Sequence, residues 1–78
     1  MPTAFVFINS EPKAMPFVFE EVKKIREVDE TAMVYGNFDI VAKVRTETME
    51  NLKQVISWRI RTLPKVLSTV TTLVVEKE

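Results

Sequence analysis

The stretch TAMVYGNFDIVAKVR, Thr31–Arg45, reads as two strands joined by a tight turn. Thr31–Tyr35 and Phe38–Arg45 supply the strands, rich in β-branched and aromatic residues. Between them Gly36-Asn37 forms a two-residue hairpin turn, since glycine and asparagine tolerate the positive φ such turns need. In the second strand Phe38, Ile40, Ala42 and Val44 share one face, and Asp39, Val41, Lys43 and Arg45 share the other. Strand side chains alternate with a period of two, so the first face meets a core and the second meets something more polar.

A helical pattern flanks this hairpin on each side. Upstream, Val18, Val22 and Ile25 recur at i, i+4 and i+7, which predicts a helix from Ala14 or Met15 to Arg26. Pro12 and Pro16 suit a loop or a first helical turn, and Glu20 and Glu21 precede Lys23 and Lys24 in the order that favours ion pairing along a helix. Downstream, Thr48 is a good N-cap with Glu50 in the first turn. The helix it starts runs from Met49 to Thr62, and Pro64 stops it. Met49, Leu52, Val55, Ile56, Ile60 and Leu63 form its apolar stripe; Arg59 falls within the stripe and Trp58 on the far side. The outermost segments are again strands. In Thr3–Asn9 (TAFVFIN), Ala4, Val6 and Ile8 point one way and Phe5 and Phe7 the other, so both faces are apolar and the strand belongs in the middle of a sheet. Leu67–Glu76 (LSTVTTLVVE) is the last strand, followed by a frayed Glu76-Lys77-Glu78 tail.

The order is therefore β-α-β-β-α-β, the ferredoxin-like arrangement of the α+β class. Right-handed crossovers place both helices on one face of a four-stranded antiparallel sheet, with the first and third strands central. No helix remains for the other face. Phe5, Val41 and part of the last strand would lie open there, and an apolar patch of that kind predicts a partner sheet and a face-to-face dimer.

Composition points the same way. At 78 residues the chain holds one domain, with a core that is marginal by itself. It has no Cys, which removes disulfides and thiolate chemistry, and no His, which removes the commonest metal ligand and general base. Oligomerisation is the remaining source of stability. Eleven basic residues balance eleven acidic ones, against the basic surface that direct contact with duplex DNA demands. The longest apolar run, Ala4–Ile8, is far short of a membrane span, and Met1-Pro2-Thr3 is no charged leader, so a cytoplasmic protein is expected. The carboxylates are scattered, so neither a metal nor a cofactor is expected.

The hairpin Val34-Tyr35-Gly36-Asn37-Phe38-Asp39-Ile40-Val41, the following Val44–Leu52 stretch, Leu63-Pro64-Lys65-Val66 and Thr69–Val75 form an ordered set. Together they resemble the effector-binding (RAM) domain of the leucine-responsive regulatory protein/AsnC family, over about residues 3–76. Two departures stand out. The family's N-terminal helix-turn-helix domain has no counterpart here, so the chain resembles the stand-alone RAM proteins. In addition, the family's Leu-Pro-Gly-Val reads Leu63-Pro64-Lys65-Val66. The resemblance implies a dimer through the sheets, a ring of dimers, and a free amino acid bound between neighbouring dimers. Full-length relatives are further implied partners. Carried onto matching positions, the ligand residues are Tyr35, Gly36, Asn37 and Asp39 in the hairpin, Lys53 and Ser57 on the second helix, and Ser68 and Thr69 on the last strand. Asp39 would pair with the ligand's ammonium, and backbone N–H groups at Gly36 would take its carboxylate.

Each of these residues also has a plainer role. Gly36 serves as a turn, Asp39 as a partner of Lys43 or Arg45, and Lys53 and Ser57 as helix surface. Exposed tryptophan is enriched at interfaces, so Trp58 joins Phe5 and Val41 as an expected assembly contact. Two other functions compete with the sensor: a structural oligomer without ligand, and a cofactor-free dimeric α+β barrel enzyme. The latter is disfavoured by the lack of His.

Overall fold

Strand β1, Thr3–Ser10, alternates half-buried and buried side chains along its whole length. It lies inside the sheet, antiparallel to β3 (Ile40–Arg45) on one side and to β4 (Val66–Leu73) on the other. β2 (Val28–Met33) completes the order β2-β3-β1-β4. The computed structural model describes residues 1–76. Ala4, Val6 and Ile8 pair across the sheet with Val44, Ala42 and Ile40, and all six are fully buried on one face. Helix α1 (Met15–Lys23) adds Val18 and Val22 to that cluster, with Ile25 just beyond its end. Helix α2 (Met49–Gln54) and its π-helical continuation Val55–Ile60 add Leu52, Val55, Ile56 and Ile60. Both helices therefore cover the same sheet face, which is the ferredoxin-like α+β sandwich. Each of the Val, Leu and Ile side chains among them contributes roughly 1.5–3 kcal/mol by leaving water.

Several boundaries differ from the sequence reading, each for a local reason. β2 starts at Val28 instead of Thr31, although Asp29 and Glu30 are poor strand formers. Cross-strand charge offsets their propensity: Lys43 lies 3.7 Å from Asp29 and 3.6 Å from Glu30, and Arg45 lies 3.5 Å from Asp29. α1 accordingly ends at Lys23, short of Arg26. Its chain turns through Ile25, whose N–H donates to Val22 O and whose carbonyl accepts from Val28 N–H. The hairpin has no two-residue turn. The last β2–β3 pair is Met33 with Ile40, and Val34–Asp39 form a longer loop closed by Val34 N–H donating to Asp39 O. β3 thus begins at Ile40, and Phe38 leaves the core face. It packs instead against Phe7 on the opposite face, ring centroids 5.2 Å apart. The second helix ends at Ile60, ahead of Thr62, and its last turn widens, with Arg61 N–H donating to Ile56 O five residues back. Met49 is on the expected stripe yet remains exposed. The last strand runs Val66–Leu73, not Leu67–Glu76; Val74 N–H still donates to Thr3 O. Of the expected tail, Lys77 and Glu78 lie outside the described residues.

Local capping follows the sequence more closely. Thr48 is extended and its hydroxyl accepts from Asn51 N–H at 3.1 Å, which starts α2. Lys23 and Lys24 pair with Glu20 and Glu21 at 3.6 and 2.9 Å. The hydrogen bond that Lys24 donates to Glu21, and then the charge of Glu21, hold the Lys24 ammonium above its ordinary pKa.

The two sheet edges contrast. β2 carries a register irregularity between Val28 and Glu30 together with two acidic residues, all of which discourage further strand pairing. β4 (VLSTVTTL) carries neither charge nor proline.

Lys65, just before β4, has φ +74°, in the left-handed region. Its carbonyl accepts from Glu11 N–H at 3.0 Å, so the turn is held by β1's exit as well as by its own sequence. A non-glycine residue there costs about 1–2 kcal/mol, and glycine would return about 0.5–1 kcal/mol of that through its larger unfolded-state entropy. Lys65→Gly is therefore expected to raise stability by about 0.5–1 kcal/mol, read as a higher urea midpoint at unchanged slope. A lower midpoint would show that the 3.9 Å Lys65–Glu11 ion pair matters more than the backbone.

Candidate ligand site

The hairpin residues sit at the open end of β1. Tyr35 is fully exposed, with Gly36 (φ +142°) and Asn37 exposed beside it. Asp39 is half-buried and does not pair with Lys43 or Arg45. Its N–H donates to Ile8 O, and its Oδ2 accepts from Ser10 N–H at 3.0 Å. Asp39 therefore stitches the loop to β1 in the way a strand-end cap would, and this commitment is what lengthens the hairpin. Its other oxygen, Oδ1, accepts no hydrogen bond among the described residues. Ser10 is buried and its N–H would be left without an acceptor in Asp39→Ala, which is expected to cost about 1–3 kcal/mol. Asp39→Asn keeps an acceptor oxygen and should cost less than half as much in the same urea titration.

Lys53 and Ser57 lie elsewhere. They line a groove of about 320 Å³ between the second helix and β4, together with Met49, Leu52, Ile56, Arg61, Thr71 and Leu73. A neighbouring hollow of about 310 Å³ holds Ser68 and Thr69 with Val66, Leu67 and Arg61. Arg61 borders both, so these four expected ligand residues line two adjoining hollows beside β4. Ser68 points to the open sheet face, where its hydroxyl accepts from Asn9 Nδ2 at 3.3 Å, whereas Thr69, opposite Ile8, faces the helices. The hairpin belongs to the other side of the sheet. Asp39 adjoins β1, so it stands two strand spacings from β4, about 10 Å, and further from the Lys53 groove, whose Thr71 and Leu73 pair with Val6 and Ala4 at the other end of β1. The structure thus divides the expected site in two within one chain. Sequence reasoning missed Arg61 and the apolar floor of Leu52 and Ile56, because a helix stripe reads as core and gives no sign of which residues border a groove.

Electrostatically the halves are complementary. The groove is bordered by two cations and contains no carboxylate. Neither Lys53 nor Arg61 makes an ion pair among the described residues. The hairpin half offers the Asp39 carboxylate and no cation.

The expected interface residues occupy two further surfaces. Phe5 and Val41 are half-buried on the helix-free sheet face, where they border a shallow hollow of about 140 Å³ with Ala32 and Lys43. Phe7, Phe38 and the exposed Val70 extend the same face. Trp58 is 74% exposed and borders a trough of about 480 Å³ with Arg26, Gln54 and Arg59. Among the described residues no cluster of three His, Cys, Asp or Glu is placed to hold a metal, and no helix is long and apolar enough to cross a membrane.

Residues 3–78 match the family model of the Lrp/AsnC ligand binding domain, and the chain belongs to that family. It is 35% identical over 68 residues to the proline dehydrogenase transcriptional activator of Rhizobium radiobacter, covering 87% of this chain and 44% of that protein. The chain thus spans less than half the length of that curated relative. Among solved structures, TTHA0845 from Thermus thermophilus superposes with a TM-score of 0.94 at 32% identity, over 100% of this chain and 98% of that one. AsnC from Escherichia coli superposes with a TM-score of 0.90 at 25% identity, over 97% of this chain and 52% of that one. The chain is a regulatory effector-binding domain and not an enzyme.

Proposed function

We propose that the chain senses a free amino acid and converts its binding into assembly. The observation that carries this reading is the division of charge between the two half-sites. A zwitterion needs an anionic partner for its ammonium and a cationic one for its carboxylate. Asp39 offers the first, with Tyr35, Gly36 and Asn37 around it. Lys53 and Arg61 offer the second, with Ser57, Ser68 and Thr69 nearby. The two half-sites lie too far apart in one chain to share a small ligand, so a hairpin from one copy would meet the groove of another. A ligand bound by two copies together necessarily favours their association. Dimerisation through the Phe5, Phe7 and Val41 sheet face supplies the unit that such contacts join into a ring, with Trp58 as a further contact. The same contacts would admit full-length family members as co-assembly partners.

The test is sedimentation of the chain with each of the twenty amino acids. One or a few are expected to raise the assembled mass, with a blue shift of the Trp58 emission as that side chain leaves water. Asp39→Asn should abolish the response while leaving the fold intact. An unchanged mass with every amino acid would favour the structural oligomer instead.

A further inference from the structure

We infer that the groove between the second helix and β4 binds small aliphatic carboxylates that carry no amino group, the deaminated counterparts of amino acids, and that these oppose assembly. The inference rests on the divided site proposed above and specifies what one half of it recognises.

Leu52 and Ile56, with the exposed Met49 and Leu73, give the groove an apolar body. Lys53 and Arg61 give it two cations that no carboxylate of the described chain neutralises. Ser57 adds one hydroxyl, able to donate to a carboxylate oxygen or a keto oxygen. Its volume of about 320 Å³ lies at the lower end of the range of small-molecule sites. Nothing on its lining can accept from an ammonium with opposite charge. Bringing an ammonium beside Lys53 and Arg61 is unfavourable, and only a second copy's Asp39 would offset it. An α-keto acid or a branched fatty acid has no such requirement. It satisfies the guanidinium and buries its aliphatic end within a single chain. Having no ammonium, it gives the neighbouring hairpin nothing to hold. It therefore occupies the groove without bridging, and competes with the amino acid that does bridge.

The experiment compares 4-methyl-2-oxopentanoate, isovalerate, L-leucine and L-leucinamide by thermal shift, and repeats the sedimentation with the keto acid present. Both carboxylates are expected to raise the melting temperature, by about 6 °C at ten times their dissociation constant, and L-leucinamide is expected to leave it unchanged. Arg61→Gln should remove most of this shift; both Arg61 and Lys53 are exposed, so the variants Arg61→Gln and Lys53→Gln fold. Added keto acid should reverse any amino-acid-driven rise in mass. A shift with L-leucine but not with the carboxylates overturns the inference and leaves amino-acid sensing intact. A shift with L-leucinamide equal to that with the carboxylates, or one untouched by Arg61→Gln, also overturns it. So does a groove variant that alters the assembled mass while no carboxylate binds, since the occupant would then be a second copy. Amino-acid sensing fails separately, by a mass that no amino acid alters.

Discussion

Leu52→Ala is expected to lower the unfolding free energy by about 3 kcal/mol, within the usual range for a buried leucine truncated to alanine. Leu52 is fully buried and stands where the second helix meets the sheet, with Val55 and Ile56 in the same cluster. The removed atoms leave a void that a two-layer domain cannot close without shifting that helix. A core of this size supports only about 3–5 kcal/mol, so the variant should be largely unfolded at 37 °C unless assembly supports it. The melting temperature should fall by more than about 10 °C. Met49→Ala is the control: it lies on the same stripe but is 42% exposed, and its loss should fall well under about 1 kcal/mol. Equal losses for the two would contradict the placement of the helix.

Phe7→Asp should dissociate the proposed sheet-to-sheet dimer. Phe7 faces away from the helices and packs on Phe38. A second sheet laid on this face would bury it, whereas the isolated chain leaves it half in water. An uncompensated carboxylate buried in the dimer costs at least about 3 kcal/mol, weakening association more than a hundredfold. The isolated fold loses the Phe7–Phe38 contact and some strand propensity, a smaller cost than that to the dimer. Sedimentation should show half the mass at micromolar protein, with the helical signal retained in the cold. Undiminished mass would mean that the copies meet elsewhere.

The fold was legible because its strongest signals agree: the helical stripes, the Thr48 cap and the two-sided β1 all point to one topology. The misreadings cluster at the hairpin. Gly36-Asn37 carries the strongest local turn signal in the chain, and propensity gave no hint that Asp39 is held by Ser10, which lies 29 residues away in the sequence. That bond sets the loop length and moves Phe38 to the other sheet face. In the same way, the sequence places the start of β2 at Thr31, because Asp29 and Glu30 are poor strand formers until Lys43 and Arg45 are seen beside them. The site was legible by residue type and only through the family resemblance. Its division was not, because periodicity places a residue on a face but does not say which faces meet at a groove.

The position of β1 also dictates when this domain can fold. Its partners are distant in sequence: Ala4 pairs with Val44 and with Leu73. No local hairpin shelters the first strand, so Phe5 and Phe7 on one face and Val6 and Ile8 on the other wait for nearly the whole chain to be made. Loop closure over such spans must precede the contacts that reward it, which places folding toward the slow end for a domain of this size. During synthesis this most apolar strand is thus made before both of its partners, and it is the segment a chaperone would be expected to hold.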